Sequence, residues 1–208
     1  MSELAAEPLV TEETEVREYT LSDGSRVIKT IVTTRTKPPP KPKAEVITDL
    51  SQASPFERNM LEAHNAIRAL HGTPPLKLSR EMCNFCQEWA NVIAKEGKLR
   101  SRPREQRLTY GENLFTKRSG SMKITGEEVV KDWCSGAKYY KWYGGEPPGG
   151  SDRNSGNFSQ VVWRSSERLG VGIATVGNCF FVVCDYDPGG NVRDSYKDNV
   201  LPREDNSR

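Results

Sequence analysis

Few side chains in this sequence have the type and spacing for chemistry. The 208 residues hold two histidines, His64 and His71. They lie in one helical pattern, where a seven-residue spacing puts them two turns apart, too far to share one ion. Packing and capping are the expected roles of both. Five cysteines (Cys83, Cys86, Cys134, Cys179, Cys184) are an odd number. Cys83 and Cys86 form C-x-x-C, but a zinc ribbon needs a second such pair and a redox motif follows a strand. Inside a helical pattern the pair reads as two reduced, half-buried thiols. Cys179 and Cys184 share a strand pattern, roughly 16 Å apart at strand rise, and cannot easily bridge.

Two surface stretches could bind rather than react. KLRSRPREQR carries Lys98, Arg100, Arg102, Arg104 and Arg107 against Glu105, a loop able to hold anionic lipid headgroups at about 1 kcal/mol per cation; the alternative is a solvated loop. The patch is short and lacks interleaved aromatics, so nucleic acid is not expected. Tyr139, Tyr140, Trp142 and Tyr143 precede GGEPPGGSDRNSG. Tyr140 is expected to pack inward, leaving Tyr139, Trp142 and Tyr143 as a candidate ligand loop, an exposed aromatic surface. Asn157-Phe158-Ser159 is a formal glycosylation sequon, relevant only on the secretory path.

The elements that must position these residues follow from pattern. Residues 1–49 read as a disordered, charged tail: seven acidic residues lie among positions 1–25, and six basic with no acidic residues among 26–43. KPPPKPK, Lys37 to Lys43, favours stiff polyproline geometry, either as a spacer or as a ligand for a protein with an aromatic groove. VREYTL and RVIKTIVTT, around Ser22-Asp23-Gly24, could pair as a hairpin, marginal alone in water. Residues 50–203 read as the folded domain and 204–208 as a short C-terminal tail. Ser54, Pro55 and Glu57 announce a helix with Phe56, Met60, Ala63, Ile67 and Leu70 on one face. A second helix starts at Ser79, with Met82, Phe85, Cys86, Trp89 and Ile93 on one side, and ends near Gly97. A third starts at Thr125, with Val129, Trp133, Ala137 and Tyr140 inward. TYGENLFTKR reads as a strand, and RLGVGIAT with NCFFVVCDYD as an antiparallel hairpin. Helices first and a hairpin last give an α+β class.

The mean hydropathy of −0.68 and net charge of +2 exclude a broadly basic nucleic-acid binder. No apolar run is long enough to cross a bilayer. The acidic N-terminus lacks a signal-peptide pattern, and Ser2 excludes N-myristoylation. The expected location is cytoplasmic, including peripheral association with membranes; the alternative is export by a route without a signal peptide.

Several separated stretches carry a resemblance. LEAHNAIRALHGTPPLKLS, YGENL, FSQVVWRSSERLGVGIA and CFFVVCDYDPGGN are similar, in order and spacing, to the signature regions of the CAP superfamily of cysteine-rich secretory, antigen 5 and pathogenesis-related proteins. PPLKL and the missing signal make the chain most similar to the intracellular, Golgi-associated branch. The resemblance implies a three-layer α-β-α sandwich and binding to negatively charged membranes. It also implies a cleft in which many members hold a divalent metal between two histidines and two glutamates. Of those four positions, one glutamate is present as Glu112. The histidine eleven residues before it falls on Ser101, the second glutamate on Gly136, and the second histidine on Asn157.

The chemistry of that set is poor. A catalytic zinc needs three protein ligands and a structural one needs four, and Glu112 supplies one carboxylate. Ser101 and Ser159 have no imidazole in the cleft to take a proton. The expectation is therefore a non-enzymatic binding protein without a cofactor, its degenerate cleft roomier and nearly uncharged, with Glu112 as an alternative holding loop amides. Expected partners are an anionic membrane, a lipid or sterol, or a protein, and a homodimer stays open. A scaffold acting through the Pro-rich tail is the second reading and a residual hydrolase the third.

Overall fold

A computed structural model of the chain describes residues 9–20, 25–37, 46–103, 106, 108–120, 123–140, 142 and 155–204. The chain divides into two units, 1–43 and 44–208. In the first, β1 (Leu9–Thr20) and β2 (Arg26–Lys37) run antiparallel, with Val16 opposite Thr30 and Thr20 opposite Arg26. The pairing is longer than the two segments singled out above, because Thr, Val and Ile continue along both strands. Most of the Pro-rich run, residues 38–43, lies outside the described residues, as do residues 205–208.

The second unit is built around a four-stranded sheet in the order β3-β5-β6-β4. Here β3 is Lys77–Leu78, β4 Gly111–Arg118, β5 Arg168–Val176 and β6 Cys179–Asp187. β5 and β6 form the hairpin read from sequence, turning at Gly177 with φ +59°, a left-handed conformation that glycine adopts at no steric cost. β4 pairs antiparallel with β6, while the two-residue β3 pairs parallel with β5. The unit begins before Ser54: Val46 bridges to Ser79, and Ile47 is buried and donates its N–H to Leu78 O at 2.8 Å.

Helix α1 (Pro55–Leu70) starts as its sequence dictates. Ser54 Oγ accepts from Glu57 N–H, and the Glu57 carboxylate accepts from Ser54 N–H. Ser79 caps α2 (Arg80–Glu96), which ends on Gly97 at φ +65°; Thr125 caps α3 (Gly126–Cys134). α2 lies against β5 and β6 on one face of the sheet, and the GVG of β5 explains how closely. A Cβ on Gly170 would sit 2.6 Å from backbone carbon of Met82, and one on Gly172 would collide with the backbone at Cys86. α1, α3 and the short α4 (Gly156–Val161) cover the other face. There Met60, Val129, Trp133 and Phe158 close over Val171, Val182 and Tyr186, all at most 2% exposed, each large side chain contributing about 1.5–3 kcal/mol. The result is an α-β-α sandwich. A last turn, α5 (Tyr196–Asn199), packs Tyr196 edge-on against Trp163.

The cysteines are more buried than expected. Cys83 and Cys86 are 1% and 0% exposed, and Cys184 is also fully buried. α2 turns that side onto the sheet, so burial pushes the Cys83 thiol up to about 12 and Cys86 and Cys184 well above their ordinary value. All five cysteines are free.

Candidate functional site

β4 carries Glu112 and Asn113 to one end of the sheet, where they serve different neighbours. Glu112 Oε2 accepts the Arg102 N–H at 3.1 Å, so the carboxylate ties down the loop after α2. Its Oε1 is buried and has no hydrogen-bond partner among the described residues. Ser101, one residue before that amide, is exposed. Asn113 Nδ2 donates to Asn157 O at 3.1 Å and to Tyr186 Oη at 3.1 Å. The Tyr186 hydroxyl donates to His64 Nε2 at 2.8 Å, and His64 Nδ1–H donates to Met60 O at 2.7 Å. Burial, opposed by the Met60 bond, draws the His64 pKa down to about 4, so the ring is neutral at physiological pH.

The structure thus gathers Ser101, Glu112 and Asn157 around one end of β4. Gly136 is buried in the 3₁₀ turn Ser135–Tyr139, which follows α3 and packs against α4. One carboxylate, one hydroxyl, one amide and a glycine do not fit a zinc ion. Among the described residues no three His, Cys, Asp or Glu side chains come together as a metal cluster. Ser159 is no nucleophile-base pair either: its hydroxyl donates to Asn191 Oδ1 at 2.6 Å and it is 1% exposed.

The basic run requires a correction. Arg102 is 5% exposed, its guanidinium 3.7 Å from the Phe85 ring centroid and 5.1 Å from that of Trp89. Its Nη2 donates to Phe85 O at 2.6 Å. It is a wedge that fixes the loop, unavailable to a membrane. Arg100 makes two 2.7 Å bonds to Glu96 and lies 4.4 Å from the Trp89 ring centroid. Within this run, Lys98 is exposed and its charge acts on Glu96; Arg104 and Arg107 lie outside the described residues. Phe85 and Trp89, an i, i+4 pair in the middle of α2, present the two rings on one face of the helix.

Among the aromatics, Tyr139 is 52% exposed and Tyr140 buried. Trp142 is half-buried: it stacks on His71, 5.9 Å between centroids and 11° between planes, and meets Tyr140 and Phe158 edge-on. Tyr143 lies outside the described residues.

Two features were not read from sequence. Arg68 on α1 is 0% exposed, and its guanidinium donates to Pro74 O, Val161 O, Trp163 O and Ser166 O at 2.8–3.0 Å. Burial draws its pKa down to about 10. The other is an open groove of about 740 Å³ between α1 and α3, lined by Ala63, Ala66 and Ile67 from one helix and Val130 and Cys134 from the other. The small residues Ala63 and Ala66, three apart on α1, were its only trace in the sequence.

The family model described as "CAP: Cysteine-rich secretory protein family" matches residues 61–186, the span from the middle of α1 to the end of β6. The chain belongs to the CAP family. Its CAP domain is 35% identical over 155 residues to Golgi-associated plant pathogenesis-related protein 1 of Homo sapiens, covering 73% of this chain and 96% of that protein. Pathogenesis-related protein 1A of Nicotiana tabacum is 32% identical, covering 71% and 84%. Among solved structures, NaASP2 crystallised with Zn²⁺ is similar in fold, with a TM-score of 0.56 at 20% identity over 75% of this chain and 90% of that one. No helix among the described residues is long and apolar enough to cross a membrane.

Proposed function

We propose that this CAP domain binds an apolar ligand, a lipid acyl chain, in the groove between α1 and α3, without a metal and without catalysis. The groove itself carries the reading. Its volume of about 740 Å³ falls within the range of small-molecule sites, and its floor is aliphatic. Its mouth bears Glu62, Glu127 and Lys131 as a charged rim, which keeps the apolar strip wettable at its edges and dry at its base. The cleft around Glu112 argues against hydrolysis for this chain. The only buried imidazole near it, His64, is neutral, fully engaged and held by Tyr186 and Met60. A peripheral membrane role is the second reading, supported now by fewer cations than the sequence suggested; a location at Golgi membranes would follow the human relative's name.

Fluorescence titration of the full chain with a polyene fatty acid tests this. Ala66→Trp places an indole in the groove from an exposed helical position and is expected to lower affinity at least about tenfold while leaving stability within about 0.5 kcal/mol. Undiminished binding in that variant would remove the groove from consideration.

A further inference from the structure

The C-terminal end of α1 carries a second pocket, about 380 Å³, that shares Ile67 and Cys134 with the groove but is built differently. Its walls include rings. His71 and Trp142 are nearly parallel, and Phe158 meets both edge-on, with centroids 5.5 and 5.9 Å away. Its lining includes two cations, Lys138 and Arg203, and, among the described residues, no carboxylate. Both cations are exposed, and neither makes a hydrogen bond or ion pair among the described residues. Lys138 lies over the Tyr139 ring, with Nζ 4.9 Å from the centroid.

Arg203 is held in place although it lies near the chain's end. His71 Nδ1–H donates to Leu201 O at 2.7 Å, and Glu204 N–H donates to Leu70 O at 2.9 Å. The backbone is therefore tied to α1 on both sides of Arg203. The same His71 ring that pins the strap also forms a wall of the pocket, so the aromatic surface and the cation keep a fixed relation.

We propose that this pocket binds an aromatic acid: a planar ring bearing one carboxylate. The ring takes the place of water against Trp142, His71 and Phe158, where offset and edge contacts between rings are favourable. The carboxylate meets Lys138 and Arg203, which make no ion pair among the described residues. A neutral ring would leave both cations unanswered, and an alkyl acid would forgo the ring contacts. The proposal stands apart from the acyl reading of the groove, because Lys138, His71, Trp142, Phe158 and Arg203 line only this pocket.

Isothermal titration of the full chain with 1-naphthaleneacetate, its uncharged amide and octanoate tests it. The aromatic acid is expected to bind at least about fivefold more tightly than the amide or octanoate. Arg203→Gln and Lys138→Gln should each weaken the acid about two- to fivefold and leave the amide unchanged. Trp142→Ala should weaken acid and amide together, and Ala66→Trp, which touches only the groove, should change neither. Arg203 is exposed, so its variant carries the test even if Trp142→Ala fails to fold. Equal affinity for acid and amide, octanoate matching the aromatic acid, or no binding of the acid would each overturn the proposal. Loss of acid binding in Ala66→Trp would assign the ligand to the groove and overturn it too. Loss of fatty-acid binding alone in Ala66→Trp would leave it standing.

Discussion

Replacing Arg68 by methionine should be among the most damaging single changes in the domain, although arginine is ordinarily a surface residue. Its guanidinium bonds four backbone carbonyls, two of them flanking the turn that leaves α4. A hydrogen bond from a charged donor contributes about 1.5–3 kcal/mol, so four set an upper range of about 6–12 kcal/mol. Burial works the other way: drawing the pKa down to about 10 corresponds to about 3 kcal/mol against the charged form. The carbonyls of Pro74 and Ser166 can also turn toward water once their donor is gone. The net expectation for Arg68→Met is a loss of about 3–5 kcal/mol, a large part of a typical domain's stability. Arg68→Lys keeps the charge but cannot span four acceptors with three hydrogens, so it should lose about half as much. Urea unfolding followed by tryptophan fluorescence measures both. Amide exchange should quicken first between residues 161 and 166. Methionine within 1 kcal/mol of wild type, or lysine worse than methionine, would refute the reasoning.

Other outcomes follow from particular contacts. His64 titrates near pH 4 when folded and near 6.5 when unfolded. The unfolded chain therefore binds more protons between these values, and stability present above pH 6.5 should fall by about 3 kcal/mol on acidification to pH 4. Comparing the slope of stability against pH in wild type and His64→Gln checks this; equal slopes would exclude His64 as the source. Gly172→Ala should cost about 1–3 kcal/mol in thermal unfolding, because its new methyl meets the backbone of α2 at Cys86. Arg102→Gln should destabilise by about 2 kcal/mol and Arg100→Gln by much less, since one is buried against two rings and the other is a solvent-screened pair with Glu96. Anionic-vesicle pelleting that depended on Arg102 and not on Lys98 would contradict the buried placement.

The sequence showed the scaffold well wherever signals were local. Ser54, Ser79 and Thr125 cap the three main helices, Gly97 ends one of them, and Gly177 turns the hairpin. Even the closeness of α2 to the sheet was present in GVG, as a strand without side chains on one face. Short elements were not legible. α4 has six residues and no side-chain cap, and depends on Ser159 and Asn191 meeting across 32 positions. Charge was misleading in the same way. Arg102 read as part of a cationic loop because no local pattern reveals its stack on Phe85 and Trp89, and Arg68 drew no reading because three of its four carbonyls lie more than ninety positions away. The groove was not visible for a related reason: it belongs to two helices about sixty residues apart, and neither shows that its small residues face the other.

Those placements change what the cleft around Glu112 means. A lone buried carboxylate would be costly if it faced nothing, yet Glu112 has one oxygen on the Arg102 amide. Arg102 is in turn wedged between rings of α2, so the carboxylate, the amide and the stack form one clasp on the loop. Asn157 is similarly engaged through its backbone, at the end of a line of donors from Asn113 through Tyr186 to His64 and Met60. Every member of that line except the terminal carbonyls is a neutral side chain, which suits a buried region where the Arg68 guanidinium opposes any charge on His64. A metal ion introduced beside Glu112 would meet Oε1, which has no partner among the described residues, but no group of three His, Cys, Asp or Glu side chains among those residues completes its coordination. The accessible apolar surfaces lie elsewhere, along α1: the aliphatic lining between α1 and α3, and, at its end, the rings of His71, Trp142 and Phe158 beside the exposed Lys138 and Arg203.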